Sequence, residues 1–340
     1  MEAEVTDSAE NNVCVIIAAK NASDTIGLAV ASALCEPEVA EVVVIDDGSI
    51  DGTSASARLA DDGSGRLIIH EFDENRGPAA ARNHAIEMSR APLISILDAD
   101  DFFFPGRFKP LLESDNWDFV ADNIAFVNAD SVSDALTMVD RFDPKPRFLD
   151  LVAFVEGNIS KPGVRRGEIG FLKPLMRRSF LDAQGLRYNE ALRLGEDYDL
   201  YVRALARSAR YKVIHSCGYG AVVRSNSLSG QHRTEDLHRL YEADRAILAD
   251  GGLSPADAAA IRRHEQHVRG RYELRRFLDI KGKSGLAAAA SYALGKPAAI
   301  PAIAGGILAD KTERFRKGGG VPIAHSGANG LRYLLQAAPE

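Results

Sequence analysis

Residues 41–53 read EVVVIDDGSIDGT: a β-branched run that stops at two aspartates, followed by glycine and small polar residues. An apolar run without polar alternation is the habit of a strand buried on both faces, as in a parallel sheet. The pattern recurs on either side. Residues 13–18 read VCVIIA, 66–72 read RLIIHEF and 93–97 read LISIL, the last also ending in acid, Asp98-Ala99-Asp100-Asp101. Between these runs, 22–34 and 53–60 are spaced as helices, and Pro78 opens a further helix to about 89, since proline suits a first helical turn. Strands alternating with helices predict right-handed βαβ units and an α/β fold with a mostly parallel sheet flanked by helices.

After Pro105 the regularity fades. Residues 117–125 and 121–127 overlap as strand candidates, and 128–170 read as loops with one short helix near 148–155. Residues 172–176 suggest a short strand and 196–208 an amphipathic helix with Leu200, Val202 and Leu205 inward. Residues 211–215 and 219–224 read as two late strands, and from about 234 the pattern is helical.

Composition bounds the function. The chain has 340 residues, 46% hydrophobic and 26% charged, which excludes intrinsic disorder and suits roughly two domains or one large one. With 41 Lys+Arg against 48 Asp+Glu, the net charge is −7, so no nucleic acid partner is expected. Cys14, Cys35 and Cys217 are scattered, which argues against a thiolate zinc site and for a reducing compartment. Residues 1–12 lack the basic start and apolar stretch of a secretory signal, and no uninterrupted apolar run reaches spanning length. A cytoplasmic location follows as the expectation. Two stretches touch on membranes. Residues 262–283 hold eight Lys/Arg and three Asp/Glu, readable as a solvated face or as peripheral contact with an anionic membrane; 285–309 is Ala- and Gly-rich.

Ligands of an open parallel sheet bind beyond the carboxyl ends of its strands. Here those ends are acidic: Asp46-Asp47 and Asp98 to Asp101. A divalent ion with oxygen ligands, Mg²⁺ or Mn²⁺, is the simple way to offset such charge, completed by substrate phosphates. Turn-forming and helix-capping aspartates explain either cluster alone, but both at strand ends less well. No Gly-rich dinucleotide or P-loop cradle follows the first strand, and no Gly-x-Ser-x-Gly elbow occurs.

At this point the chain resembles the inverting family 2 glycosyltransferases of GT-A fold. The resemblance rests on VCVIIAAKN, EVVVIDDGSIDGT, ENRGPAAARNHAI, APLISILDADD and, later, GEDYDLYVRAL, and covers roughly 13–230. With its long helical C-terminus the chain is similar to bacterial exopolysaccharide glucosyltransferases of the succinoglycan type. The resemblance implies a flexible 1–12, a catalytic domain over 13–230 (a nucleotide-sugar half, 13–105, and an acceptor half, 106–230) and a helical region over 231–340. It implies that Asp47, with Asp46, meets the uracil of a UDP-sugar, UDP-glucose above all. Ala18 and Asn21 would lie along the nucleoside; Arg76 and Arg82 would bound the donor pocket. Asp98, with Ala99, would contact ribose or sugar hydroxyls, and Asp100, with Asp98 beside it, would hold the metal. Asp197, with Glu196 as the lesser candidate, would be the general base. The acceptor implied is a saccharide, lipid-diphosphate-linked, at the inner face of the cytoplasmic membrane.

One departure is Lys20, where many relatives carry an aromatic; it would reach the donor phosphates or Asp47 instead. Arg224 is a candidate for the diphosphate, with Ser227 and His232 weaker. His215 and Trp117 read as core, Asp199 as structural or a second acceptor contact, and 155–170 as an acceptor lid or a mere connection. The processive Gln-x-x-Arg-Trp motif is absent, since Gln231 is followed by His-Arg-Thr. The competing readings are a non-catalytic nucleotide-sugar-binding or scaffold protein and a nucleotidyltransferase, which would want a Gly-rich basic loop after the first strand.

Overall fold

The computed structural model describes residues 11–132, 147–160, 169–223, 233–316 and 331–335. The chain divides into two compact units, 1–227 with 326–340, and 228–325.

The first unit is built on one mixed sheet. Its strands are β1 (Val13–Ala19), β2 (Val39–Asp46), β3 (Leu67–Glu71), β4 (Leu93–Ile96), β5 (Phe102–Phe103), β6 (Phe119–Asn128), β7 (Arg147–Leu149), β8 (Leu175–Arg177), β9 (Tyr211–Val223) and β10 (Arg332–Tyr333). They lie in the order β3-β2-β1-β4-β8-β6-β9-β5, with β10 on β6 and β7 on β9. The helices are α1 (Ile26–Leu34), α2 (Thr53–Leu59), α3 (Pro78–Met88), α4 (Phe108–Leu112), α5 (Leu151–Glu156), α6 (Arg178–Ala183) and α7 (Glu196–Ala206). In the second unit follow α8 (Thr234–Asp250), α9 (Pro255–Leu294) and α10 (Ile300–Arg316).

Strands β1 to β4 form the parallel half that the apolar runs predict. Val13 to Ile17 and Val42 to Ile45 are each wholly buried, as central strands must be. Beyond β4 the sheet changes character. Strand β8 runs antiparallel to both β4 and β6, while β6 and β9 pair in parallel.

Residues beyond β4 depart from the sequence expectation in several places. The two overlapping candidates after Trp117 are one strand, β6, and the two late candidates are one strand, β9. Their shared register slips around Asn123, which is what splits the pattern in sequence. Buried Arg107 sits beside the slip. Its guanidinium pairs with Asp122 at 3.0 Å, donates to the Lys173 carbonyl at 2.6 Å and lies over Phe103 at 4.5 Å. A Cβ on Gly218 would fall 2.2 Å from the Arg107 side chain, so only glycine lets β9 pass. The helix expected near 148–155 is a strand and then a helix, divided by Asp150, whose carboxylate accepts the Ala153 amide at 2.7 Å. Residues 331–335 return to the sheet through β10 rather than continuing the helical region. Trp117 is core, with Arg177 over its ring at 4.1 Å, and His215 sits half-buried along β9.

Asp101 ties β4 to β9. It accepts the Tyr219 hydroxyl at 2.8 Å and the Val222 amide at 2.9 Å, and Tyr219 in turn accepts the Asp98 amide at 3.2 Å. Burial, then the neighbouring charges of Asp98 and Asp100, pushes the Asp101 carboxyl up to about 8.

Two outcomes follow. Asp122→Ala leaves Arg107 buried without its counter-charge and should cost about 3–5 kcal/mol in urea unfolding. A carboxyl raised in the folded state contributes stability fully below the unfolded carboxylate range, and that contribution is lost as pH rises through the folded value. The metal-free wild type should therefore lose more melting temperature between pH 5 and pH 8.5 than Asp101→Asn does, followed by thermal denaturation over a pH series; parallel curves would refute the assignment.

Candidate active site

Two clusters gather at the carboxyl ends of the parallel strands. The first stitches β1 to β2. Asn21 takes a left-handed conformation (φ +48°), which asparagine tolerates, and its amide donates to Ser49 Oγ at 2.8 Å while its Oδ1 accepts the Ile50 amide at 3.0 Å. Lys20 Nζ donates to the Gly48 carbonyl. Gly48 itself has φ +67°, and a Cβ there would meet the Glu74 backbone at 2.8 Å. Asp46 is a turn former: its carboxylate accepts the Ser49 amide and the Ser54 hydroxyl, both at 2.8 Å. Buried Asp47 accepts the backbone amides of Arg76 at 2.6 Å and Gly77 at 2.9 Å, one on each oxygen. It thereby fixes the entrance to α3. The exposed Arg76 guanidinium lies over Phe72 at 4.6 Å, and Ala18 is half-buried at the end of β1.

The second cluster spans the sheet. Arg82 on α3 donates to Asp98 Oδ1 at 2.9 Å, Glu196 Oε1 at 2.8 Å and Asp197 Oδ1 at 3.1 Å. Lys173, just before β8, reaches Asp197 Oδ2 at 2.7 Å and Asp98 Oδ2 at 3.0 Å. Arg82, Asp98, Lys173 and Asp197 thus close a ring of alternating charge. Both cations are 5% exposed at the side chain, Asp197 is 12% and Asp98 is 34%. Burial opposes ionisation of Asp98, but Lys173 and Arg82 outweigh it and hold its carboxyl at about 2. Burial likewise works against Lys173, yet Asp197 and Asp98 raise it above the ordinary lysine range. Asp197 and Glu196 stand in the first turn of α7, where the helix dipole favours carboxylates.

The structure therefore brings together Asp98, Arg82, Glu196 and Asp197, which lie more than a hundred positions apart at the extremes. Ala99 is buried beside them and Asp100 is exposed. Asp199 is buried and bound to Arg203 at 2.6 Å, four residues on, a structural pairing. Arg224, Ser227 and His232 lie outside the described residues, as do 161–168 of the expected lid.

Lys173 was not among the residues singled out from sequence. Its signal is a lone lysine inside Phe171-Leu172-Lys173-Pro174-Leu175, where a buried cation demands a buried partner. Tyr188 was also missed. Its ring lies under Arg82 at 5.3 Å.

Among the described residues no group of three or more His, Cys, Asp or Glu is arranged to enclose a metal. The donor set still suits a hard ion shared with a ligand. Both Asp98 oxygens already face cations, whereas Asp100 is exposed two residues on, and Mg²⁺ or Mn²⁺ needs few protein carboxylates when phosphates complete the shell.

Comparison with known proteins agrees with this architecture. Glycosyl transferase family 2 matches residues 14–182. The chain is 68% identical over 333 residues to the succinoglycan biosynthesis protein ExoU of Rhizobium meliloti (strain 1021), covering 98% of this chain and 97% of that one. It is 37% identical over 298 residues to the succinoglycan biosynthesis protein ExoO of the same organism, covering 85% and 83%. Among solved structures, S. aureus TarS 1–349 in complex with UDP-GlcNAc superposes with a TM-score of 0.58 at 18% identity, over 78% of this chain and 72% of that one, which speaks for the fold. The chain therefore belongs to glycosyl transferase family 2 and has the GT-A fold.

Proposed function

We propose that this enzyme moves a sugar, glucose from UDP-glucose, onto a saccharide acceptor carried on a lipid diphosphate, in the assembly of a succinoglycan-type exopolysaccharide. The similarity to ExoU and ExoO supports the polysaccharide. The observation that carries the chemistry is the closed ring, which ties a donor-side carboxylate, Asp98, to an acceptor-side carboxylate, Asp197, through two shared cations.

In this reading the acceptor hydroxyl attacks the anomeric carbon in line, the bond to the diphosphate breaks, and configuration inverts. Asp197 takes the proton as the hydroxyl attacks, with Glu196 beside it. Asp98 meets hydroxyls of the ribose or sugar. Asp47 holds the Arg76–Gly77 backbone that borders the base, and Ala18, Lys20 and Asn21 line the nucleoside side. Asp100 would hold Mg²⁺ or Mn²⁺, which when bound offsets the charge on the leaving diphosphate. No described helix is long and apolar enough to cross a membrane. The basic run 262–283 supports a peripheral position at the inner face of the cytoplasmic membrane, because anionic headgroups attract Lys and Arg.

Calorimetric titration tests the donor side. UDP should bind in the presence of Mn²⁺, GDP and dTDP more weakly, and Asp100→Ala should abolish the metal-dependent part. Absence of nucleotide binding under any metal condition would turn the reading toward a scaffold on a borrowed fold. For the acceptor side, Asp197→Asn should keep UDP affinity within a few-fold and lower UDP release from UDP-glucose, with lipid-linked acceptor, by about 10²–10⁴-fold.

A further inference from the structure

The second unit ends in an apolar surface that its own packing leaves uncovered. Helix α9 breaks at Gly285 (φ +82°). Ala289 beyond the break, Ala299 in the link and Ile303 on α10 pack together with Phe277, which precedes the break. That packing accounts for one face of each helix. The adjoining faces are also apolar. Leu286, Ala290 and Leu294 stand at i, i+4 and i+8 on α9, and Ile300, Ala304 and Leu308 repeat the spacing on α10. All six are exposed, Leu286 by 63%, Leu294 by 74% and Leu308 by 64%. Between 281 and 308 the sequence has three lysines, Lys281, Lys283 and Lys296, and no Asp or Glu.

A helix apolar on one face is an ordinary surface helix, and one apolar on both normally has both covered. Single exposed leucines need no explanation, but matched stripes on successive helices with a lysine border mark an interaction surface. We infer that this tip lies in the headgroup region of an anionic phospholipid bilayer, with the two stripes dipping into the acyl boundary and Lys281 and Lys283 at the phosphates, Lys296 being paired with Glu273 at 3.2 Å. The stripes run two helical turns each, too short to span and suited to lying in the plane. Charge complementarity selects this occupant. A second copy across a twofold axis would set the lysine border against itself.

This deepens the membrane placement proposed above and rests on it, while moving the contact from 262–283 to 281–308. In the structure the basic run is not a single open face. Its helix buries Glu265, Val268, Glu273 and Phe277, and Arg269 pairs back to Glu265 at 3.7 Å.

The test is co-sedimentation of the full chain with phosphatidylcholine vesicles, with and without phosphatidylglycerol. The wild type should pellet with the anionic vesicles and keep much of that binding at high salt, since apolar contact is not screened. Leu286→Glu with Leu294→Glu should lower partitioning at least about tenfold with an unchanged melting temperature. In a separate variant, Leu294→Trp should give emission that shifts to the blue on anionic vesicles, native Trp117 being buried and constant. The inference falls if the double variant pellets like the wild type while charge reversal at Arg262, Arg263, Arg275 and Arg276 releases the protein; membrane placement would then stand on the basic run. Failure of the wild type to pellet with any vesicle overturns both, with the UDP titration deciding the donor reading separately. A sedimentation mass that falls from dimer to monomer in the double variant, without vesicles, would assign the tip to a contact between copies.

Discussion

Four ion pairs closing one ring hold the catalytic half of this fold in register. Arg82 comes from α3, Asp98 from the end of β4, Lys173 from the approach to β8 and Asp197 from the first turn of α7. Of these elements only α3 and β4 are consecutive in sequence. Buried ion pairs contribute little net stability, because desolvation consumes most of the attraction. Their effect is on geometry: removing either cation leaves the carboxylates it joins without their shared counter-charge. The ring therefore acts as a register lock. It is formed only when β8 pairs antiparallel with β4, and that pairing is itself braced where Arg107 holds the Lys173 carbonyl.

The parallel half was legible because its strands are buried on both faces and leave continuous apolar runs. Residues 13–18, 41–45, 66–72 and 93–97 fall within a residue or two of β1 to β4. The acceptor half hid because its determinants are not periodic. Strand β5 is two residues of a triple phenylalanine, and β9 carries a register slip around Gly218 that looks in sequence like a break. The site was legible in the same uneven way. Carboxylates announce themselves at strand and helix ends, so Asp98, Asp100, Glu196 and Asp197 could be singled out. Lys173 could not be placed by spacing, since the meaning of one lysine among apolar residues depends on which strands meet there.

The acidic residues at the strand ends are engaged in different ways. Asp46 is spent on a turn with Ser49 and Ser54, and Asp47 on the backbone of Arg76 and Gly77. The bland reading of turn-forming aspartates thus describes Asp46 well. At the end of β4 the neighbours divide by environment. Asp98, flanked by two cations, ionises at about 2, whereas Asp101, buried near two carboxylates, keeps its proton up to about 8.

That division bears on what the site attracts. Within the ring and its neighbour Glu196, three carboxylates face two cations, so one negative charge is left over before Asp100 is considered. If the donor binds at this edge as proposed, a bare diphosphate meets the leftover negative charge, because Arg82 and Lys173 are already engaged by carboxylates. A diphosphate arriving with a divalent ion does not. Asp101 with its carboxyl raised adds less negative charge to the edge, and Asp100 there is exposed. On the proposed reading of the site, the electrostatics of the ring suit a metal-accompanied donor better than a naked one.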